Sequence, residues 1–159
     1  MTNSSKIEFT VRVQPDDFDV SAETKKLTAG RQDVGAIVTF TGLCRDEGGT
    51  LDALELEHYP GMSEAQISKF AEQAVERWPI TGLTIIHRVG KIPPGENIVL
   101  VIATSSHRRA AFEAADFLMD FLKTQAPFWK KEHLKSATEG TWVEAKAADD
   151  ADADRWTTT

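Results

Sequence analysis

Apolar residues fall on every second position from Ile7 to Val13, which predicts a half-buried strand. Pro15-Asp16-Asp17 has the chemistry of a helix start, with Phe18, Ala22 and the stem of Lys25 facing inward and an end near Thr28-Ala29-Gly30. Val34 to Thr41 is β-branched and reads as a buried strand, and Leu51 to Tyr59 alternates as a second. The Gly48-Gly49 loop between them suggests a long hairpin with a mobile tip. Ser63-Glu64-Ala65-Gln66 has the form of a capping box, with Ser63 at the N-cap. The helix after it carries Ile67, Phe70, Ala71, Ala74, Val75 and Trp78 on one face and stops at Pro79. Leu83 to Val89 is a strand, Gly90 to Asn97 a turn, and Ile98 to Ala103 a strand apolar enough to be buried on both faces.

Ser105-Ser106 offers an N-cap to a helix from His107 to Thr124, which Pro127 ends. A short second helix is expected over Phe128 to Leu134, then a last strand over Thr141 to Ala145. The order of strands and helices predicts an α+β fold with mostly antiparallel pairing rather than a doubly wound sheet. The 159 residues suit one domain, 1–146, followed by an acidic tail, 147–159, expected to be disordered; Trp156 is the feature that argues against this.

Charge changes the picture in one place. The chain carries a net −7, yet Ser105 to Lys131 concentrates Arg108, Arg109, Lys123, Lys130 and Lys131. A basic cluster on an acidic protein points to a small anionic ligand rather than to nucleic acid. No apolar run is long enough for a membrane span, no secretory leader is evident, and a lone cysteine suits a reducing cytoplasm. Glycine-rich nucleotide-binding motifs and metal-ligand spacings are absent from the sequence, so neither cofactor nor metal is expected.

His107 and Arg108 open a helix, where unpaired backbone N–H groups and a guanidinium suit an anion; equally, Arg108 and Arg109 can pair with Glu113 on a solvated helix end. Lys123 lies in a last helical turn, where the dipole alone favours a cation. Lys130 follows seven residues later, but Pro127 intervenes, so spacing does not place the two together. Brought together beside Phe128 and Trp129, two lysines would depress one another's pKa and serve as bases or nucleophiles. Arg45 sits at a strand end beside the glycine loop. Cys44 has no activating partner in sequence, and His58 and His87 read as structural members of strands.

Several segments together resemble the large, catalytic subunit of molybdopterin synthase: Gly35-Ala-Ile-Val-Thr-Phe-Thr-Gly42 with Arg45, Leu56-Glu-His-Tyr-Pro-Gly-Met62, Ile86-His-Arg-Val-Gly90, Ser106-His-Arg108 and Lys123-Thr-Gln-Ala-Pro-Phe-Trp-Lys130-Lys131-Glu132. The resemblance covers roughly Ile7 to Ala145, with a slightly shorter loop from Arg45 to Leu51. It implies an α/β-hammerhead with an added antiparallel β subdomain. The implied activity is conversion of cyclic pyranopterin monophosphate (precursor Z) to molybdopterin. The sulfur would come from the C-terminal Gly-Gly thiocarboxylate of a small ubiquitin-like sulfur-carrier subunit, in a heterotetramer built on a homodimer of large subunits. Residue by residue, Lys123 and Lys130 match the catalytic lysines. Arg45, His107 and Arg108 match substrate- or phosphate-contacting positions, and Lys131 and Glu132 lie in the binding segment. The rivals are a non-catalytic module for a phosphorylated metabolite and a scaffold that receives an acidic peptide tail.

Overall fold

The computed structural model describes residues 7–46, 48–58, 61–126, 128–135, 141–143 and 153–157. Its elements are β1 (Glu8–Gln14), α1 (Val20–Thr28), β2 (Ala36–Leu43), β3 (Leu51–His58), α2 (Met62–Arg77), β4 (Ile80–Arg88), β5 (Gly90–Ile92), β6 (Asn97–Ser105), α3 (Arg108–Thr124), β7 (Phe128–Leu134), β8 (Thr141–Val143) and a 3-10 turn (Arg155–Thr157). The architecture is α+β with two four-stranded sheets, ordered β1-β4-β6-β2 and β5-β3-β7-β8. Among the described residues, every pairing is antiparallel except β1 with β4.

The central strands β4 and β6 are buried on both faces, which their continuous apolar sequences require. Alternation divides them. Leu83, Ile85, Val99, Val101 and Ala103 meet α2 and α3 through Ile67, Phe70, Ala114, Phe117, Leu118 and Phe121. Ile86, Leu100 and Ile102 point the other way, onto Phe18 and Leu27 beside α1. A separate small core of Cys44, Leu51, Leu56 and Ile92 fills the second sheet.

Local boundaries move for identifiable reasons. The helix expected at Pro15 starts at Asp19, whose carboxylate accepts from the Ala22 N–H at 3.0 Å. Its inward residues are Glu23 and Leu27 rather than Ala22 and Lys25; Glu23 is stabilised there by Arg12 and Lys26. In α2 the N-cap is Gly61, at φ 84°, and its N–H donates to Glu64 at 2.9 Å, so the capping pair begins two residues before Ser63, which is buried inside the helix. Residues 90–92 form β5 where a turn was expected.

The larger corrections concern pairing. β2 and β3 are not a hairpin: β2 pairs with β6 in the first sheet, and β3 with β5 and β7 in the second. Between them Cys44 exchanges backbone bonds with Glu96 and Gly95, and Asp46 accepts from the N–H groups of Thr50 and Leu51, which steers the chain from one sheet to the other. The segment expected as a short helix from Phe128 is the strand β7, because β3 supplies a full ladder for it from Leu51 to His58. Within the stretch 147–159, residues 153–157 are described and make contacts with the helices. Ala153 is buried, and Trp156 meets Trp78 and Phe117 edge-on at 5.7 Å and donates to Asp120. Arg155 pairs with Asp116 and Asp120. The remainder of that tail, like Pro127, lies outside the described residues.

Candidate functional site

A pocket opens where the α3-facing side of the first sheet reaches the second sheet. Its first-sheet wall is Phe40, Gly42, Leu43, His87, Ile98 and Val99. Leu54, Leu56, Phe128 and Lys130 come from the second sheet, and Met119, Leu122, Lys123 and Ala126 from α3 and just beyond. Lys123 and Lys130, which sequence spacing alone could not join, therefore converge.

Each lysine arrives by a separate local rule. Lys123 occupies the last turn of α3, one residue past the buried Leu122, so its stem leaves the helix at the edge of the core. Lys130 lies opposite Leu56 in the β3–β7 ladder, and directly opposed residues share a face. Phe128, opposite His58, is on that same face. Had this segment been helical, Phe128 and Lys130 would not have faced one way; the period of two puts them together.

His87 is the histidine whose role the sequence hid. It continues the series Leu83, Ile85 on β4, at the end of the face that packs against α3. The residue is 8% exposed, and its ring stacks on Phe128, centroids 4.0 Å apart and planes 14° from parallel. Nδ1 lies 2.8 Å from the carbonyl of Arg88. Burial, with Lys130, His58 and Lys123 adding their positive charge, outweighs that hydrogen bond and pushes the imidazole down to about 4. The ring is therefore neutral at ordinary pH. A polar residue at an apolar-face position of a buried strand was the available signal.

The remaining expected site residues sit elsewhere. Arg45 is exposed, two residues past the lining residue Leu43. Glu132 shares the face of Lys130 by alternation and lies opposite Leu54. Lys131 belongs to the outer face with Glu55, which His133 contacts at 2.7 Å; that contact is the main cause that holds the Glu55 carboxyl below its usual range, and Lys131 adds the smallest part. Trp129 is on the outer face too, opposite Glu57. Cys44 is buried and its thiol is pushed up by that burial, which leaves it a packing residue.

His107 is the N-cap of α3, and Arg108 is the first residue of the helix. Arg108 borders a shallow depression with Arg109, Phe112, Glu113 and Asp116, and Arg109 reaches Glu113 at 4.0 Å, the bland i,i+4 pair foreseen from spacing. Arg108 and Lys123 stand at opposite ends of α3, roughly 22 Å apart at 1.5 Å rise per residue. Within one chain, His107 and Arg108 do not reach the lysine pocket.

Among the described residues no helix is long and apolar enough to cross a membrane, and no group of three or more His, Cys, Asp or Glu could hold a metal ion.

Residues 13–125 match the family model for MoaE protein. The chain is 68% identical over 147 residues to the molybdopterin synthase catalytic subunit of Mesorhizobium japonicum, covering 92% of each chain. It is 62% identical to that of Brucella melitensis, over 92% of this chain and 90% of that one. Among solved structures, the MoaE protein of Burkholderia ambifaria superposes with a TM-score of 0.80 at 46% identity, covering 94% of this chain and 99% of that one. Molybdopterin synthase from Staphylococcus aureus superposes at 0.74 with 27% identity, over 83% and 95%. Such identity across nearly the whole of both chains leaves one conclusion: the chain belongs to the MoaE family of molybdopterin synthase catalytic subunits.

Proposed function

We propose that this chain is a sulfurtransferase of molybdenum cofactor biosynthesis, installing the dithiolene sulfurs of molybdopterin on cyclic pyranopterin monophosphate. The observation that carries the site assignment is the convergence of Lys123 and Lys130 on one pocket whose other walls are mostly apolar. The sulfur donor is the thiocarboxylate at the Gly-Gly end of a small ubiquitin-like carrier subunit. A tail without side chains suits a cleft between two sheets, and Gly42 keeps one wall thin: a Cβ there would stand 2.7 Å from the Val99 side chain.

Two ammonium groups in an apolar cleft attract the thiocarboxylate and stabilise negative charge that develops on oxygen. The sulfur attacks the pterin side chain, forming a carbon–sulfur bond as a carbon–oxygen bond of that side chain breaks and the departing oxygen takes a proton, which gives a thioester between carrier and substrate. Water then cleaves the acyl–sulfur bond, leaving a carboxylate on the carrier and the sulfur on the pterin. Lys123 and Lys130 move the protons these steps require. Arg45, two residues past the lining residue Leu43, binds the substrate's phosphate. His107 and Arg108 join it from the second copy of a homodimer, because α3 holds them too far from their own chain's lysines. Lys131 and Glu132 support the binding segment. The complete assembly is a heterotetramer with one carrier subunit on each large subunit, working in the cytoplasm. A module that only bound a phosphorylated metabolite would place arginines in the pocket; the described lining holds lysines instead.

Lys123→Ala and Lys130→Ala, each assayed with thiocarboxylated carrier and precursor, should each lose about 100-fold or more in kcat. Full activity in both would overturn the assignment. Mixing Lys130→Ala chains with Arg108→Ala chains tests the shared site: a mixed dimer has one site carrying both substitutions and one carrying neither, so activity should return. No recovery on mixing would show that each chain builds its site alone.

A further inference from the structure

Three contacts define the surroundings of His87. Phe128 covers one face of the ring and fixes its plane. The Arg88 carbonyl, 2.8 Å from Nδ1, can only accept, so Nδ1 carries the proton and Nε2 of the neutral ring carries the lone pair. Arg88 is itself immobilised: its guanidinium donates to the carbonyls of Pro15 at 3.2 Å and Asn97 at 2.9 Å. The tautomer is thus imposed by buried backbone.

Lys130 from β7 and Lys123 from α3 line the same pocket as the ring, and their charge and that of His58 from β3 act on it. Lys130 is the nearest in strand logic. It follows Phe128 by two residues on the same face, so its stem leaves β7 beside the ring that Phe128 covers. A carboxylate at position 87 would cancel the ammonium charge and repel an incoming thiocarboxylate. An aliphatic residue would offer the pocket no acceptor at this position. A neutral imidazole accepts from the ammonium and leaves its charge intact.

We infer that His87 is a positioning residue, whose Nε2 accepts a hydrogen bond from the Lys130 ammonium and aims it into the pocket. This rests on the sulfur-transfer reading of the site.

Three substitutions separate the roles. In His87→Asn the amide nitrogen overlays Nδ1 and keeps the bond to Arg88, but the acceptor at Nε2 is gone. In His87→Gln the terminal amide places an acceptor near the Nε2 position. His87→Phe keeps the stack and removes both polar atoms. With the carrier and precursor complex, His87→Gln should retain most of kcat, while His87→Asn and His87→Phe should lose about 10- to 100-fold in kcat with little change in KM. In parallel, the Lys130 ammonium is titrated by NMR in ¹³C-lysine-labelled protein, its signal assigned with Lys130→Arg. Its pKa should fall in the Asn and Phe variants relative to wild type and Gln, because an acceptor favouring the charged form has been removed. Equal activity of the Asn and Gln variants, or an unmoved Lys130 titration in the Asn variant, would overturn the inference. If the Phe variant does not fold, the Asn/Gln pair decides alone. The titration needs no turnover, so it judges the His87–Lys130 contact even if an active Lys130→Ala variant were to overturn the sulfur-transfer reading.

Discussion

Lowering the pH from about 7.5 to about 4.5 tests the burial of His87. In the folded chain its pKa is about 4, against the ordinary 6.5 expected once the chain unfolds. A base whose folded pKa is depressed is neutral in both states above pH 6.5. Between 6.5 and about 4 the unfolded chain binds a proton that the folded chain refuses, so stability falls as pH falls through that window. For one group the loss between pH 7.5 and 4.5 is roughly 2–3 kcal/mol. Asp17 and Asp33 respond in the same direction at lower pH, since hydrogen bonds from Asn97 and Arg31, respectively, hold their carboxyls below the usual range. The wild type therefore cannot be read alone. The assay is urea unfolding at several pH values and fixed protein concentration, for wild type and for His87→Gln, which has no titrating group at that position. The difference between the two proteins should shrink or reverse by roughly 2–3 kcal/mol on going from pH 7.5 to 4.5, with most of the change between pH 6 and 4.5. A difference that stays constant with pH would refute the burial argument, and with it the claim that the pocket holds a neutral imidazole.

Trp156→Ala removes the edge contacts to Trp78 and Phe117 and the hydrogen bond to Asp120. It should cost roughly 2–3 kcal/mol. Calorimetry should show Tm lower by roughly 5–10 °C, with turnover at room temperature retained; an unchanged Tm would mean the tail contributes nothing. Gly35→Ala would place a Cβ 2.1 Å from the Ser106 carbonyl oxygen, at the junction of β2 with the turn into α3. Overlap with backbone cannot be relieved by a rotamer change, so a loss of about 2 kcal/mol or more is expected, read as a lower urea midpoint; an unchanged midpoint would show that the turn gives way without strain.

Much of the fold is written in short-range pattern. The period of two in 7–13, the two-sided apolar run at 98–103 and the helical stripes of α2 and α3 each identify their element, because burial on one face or both selects the residues locally. The two lysines that line the pocket stand out in the sequence as well, through the segment Lys123 to Glu132. Partner choice was not. Nothing within 36–58 says that β2 and β3 belong to different sheets, since their ladders are completed by β6, β5 and β7, far along the chain. Nor does the stretch from Phe128 declare itself a strand; the free ladder of β3 decides it, and that decision turns Phe128 and Lys130 to one side. His87 was legible only as a histidine in a strand. Its neutral state, its fixed tautomer and its place in one pocket with two lysines come from burial and from groups brought in by three other elements. A sequence determines where its apolar and charged atoms lie along the chain. Desolvation and the meeting of charges depend on distances across the folded molecule, and those exist only once the sheets have paired.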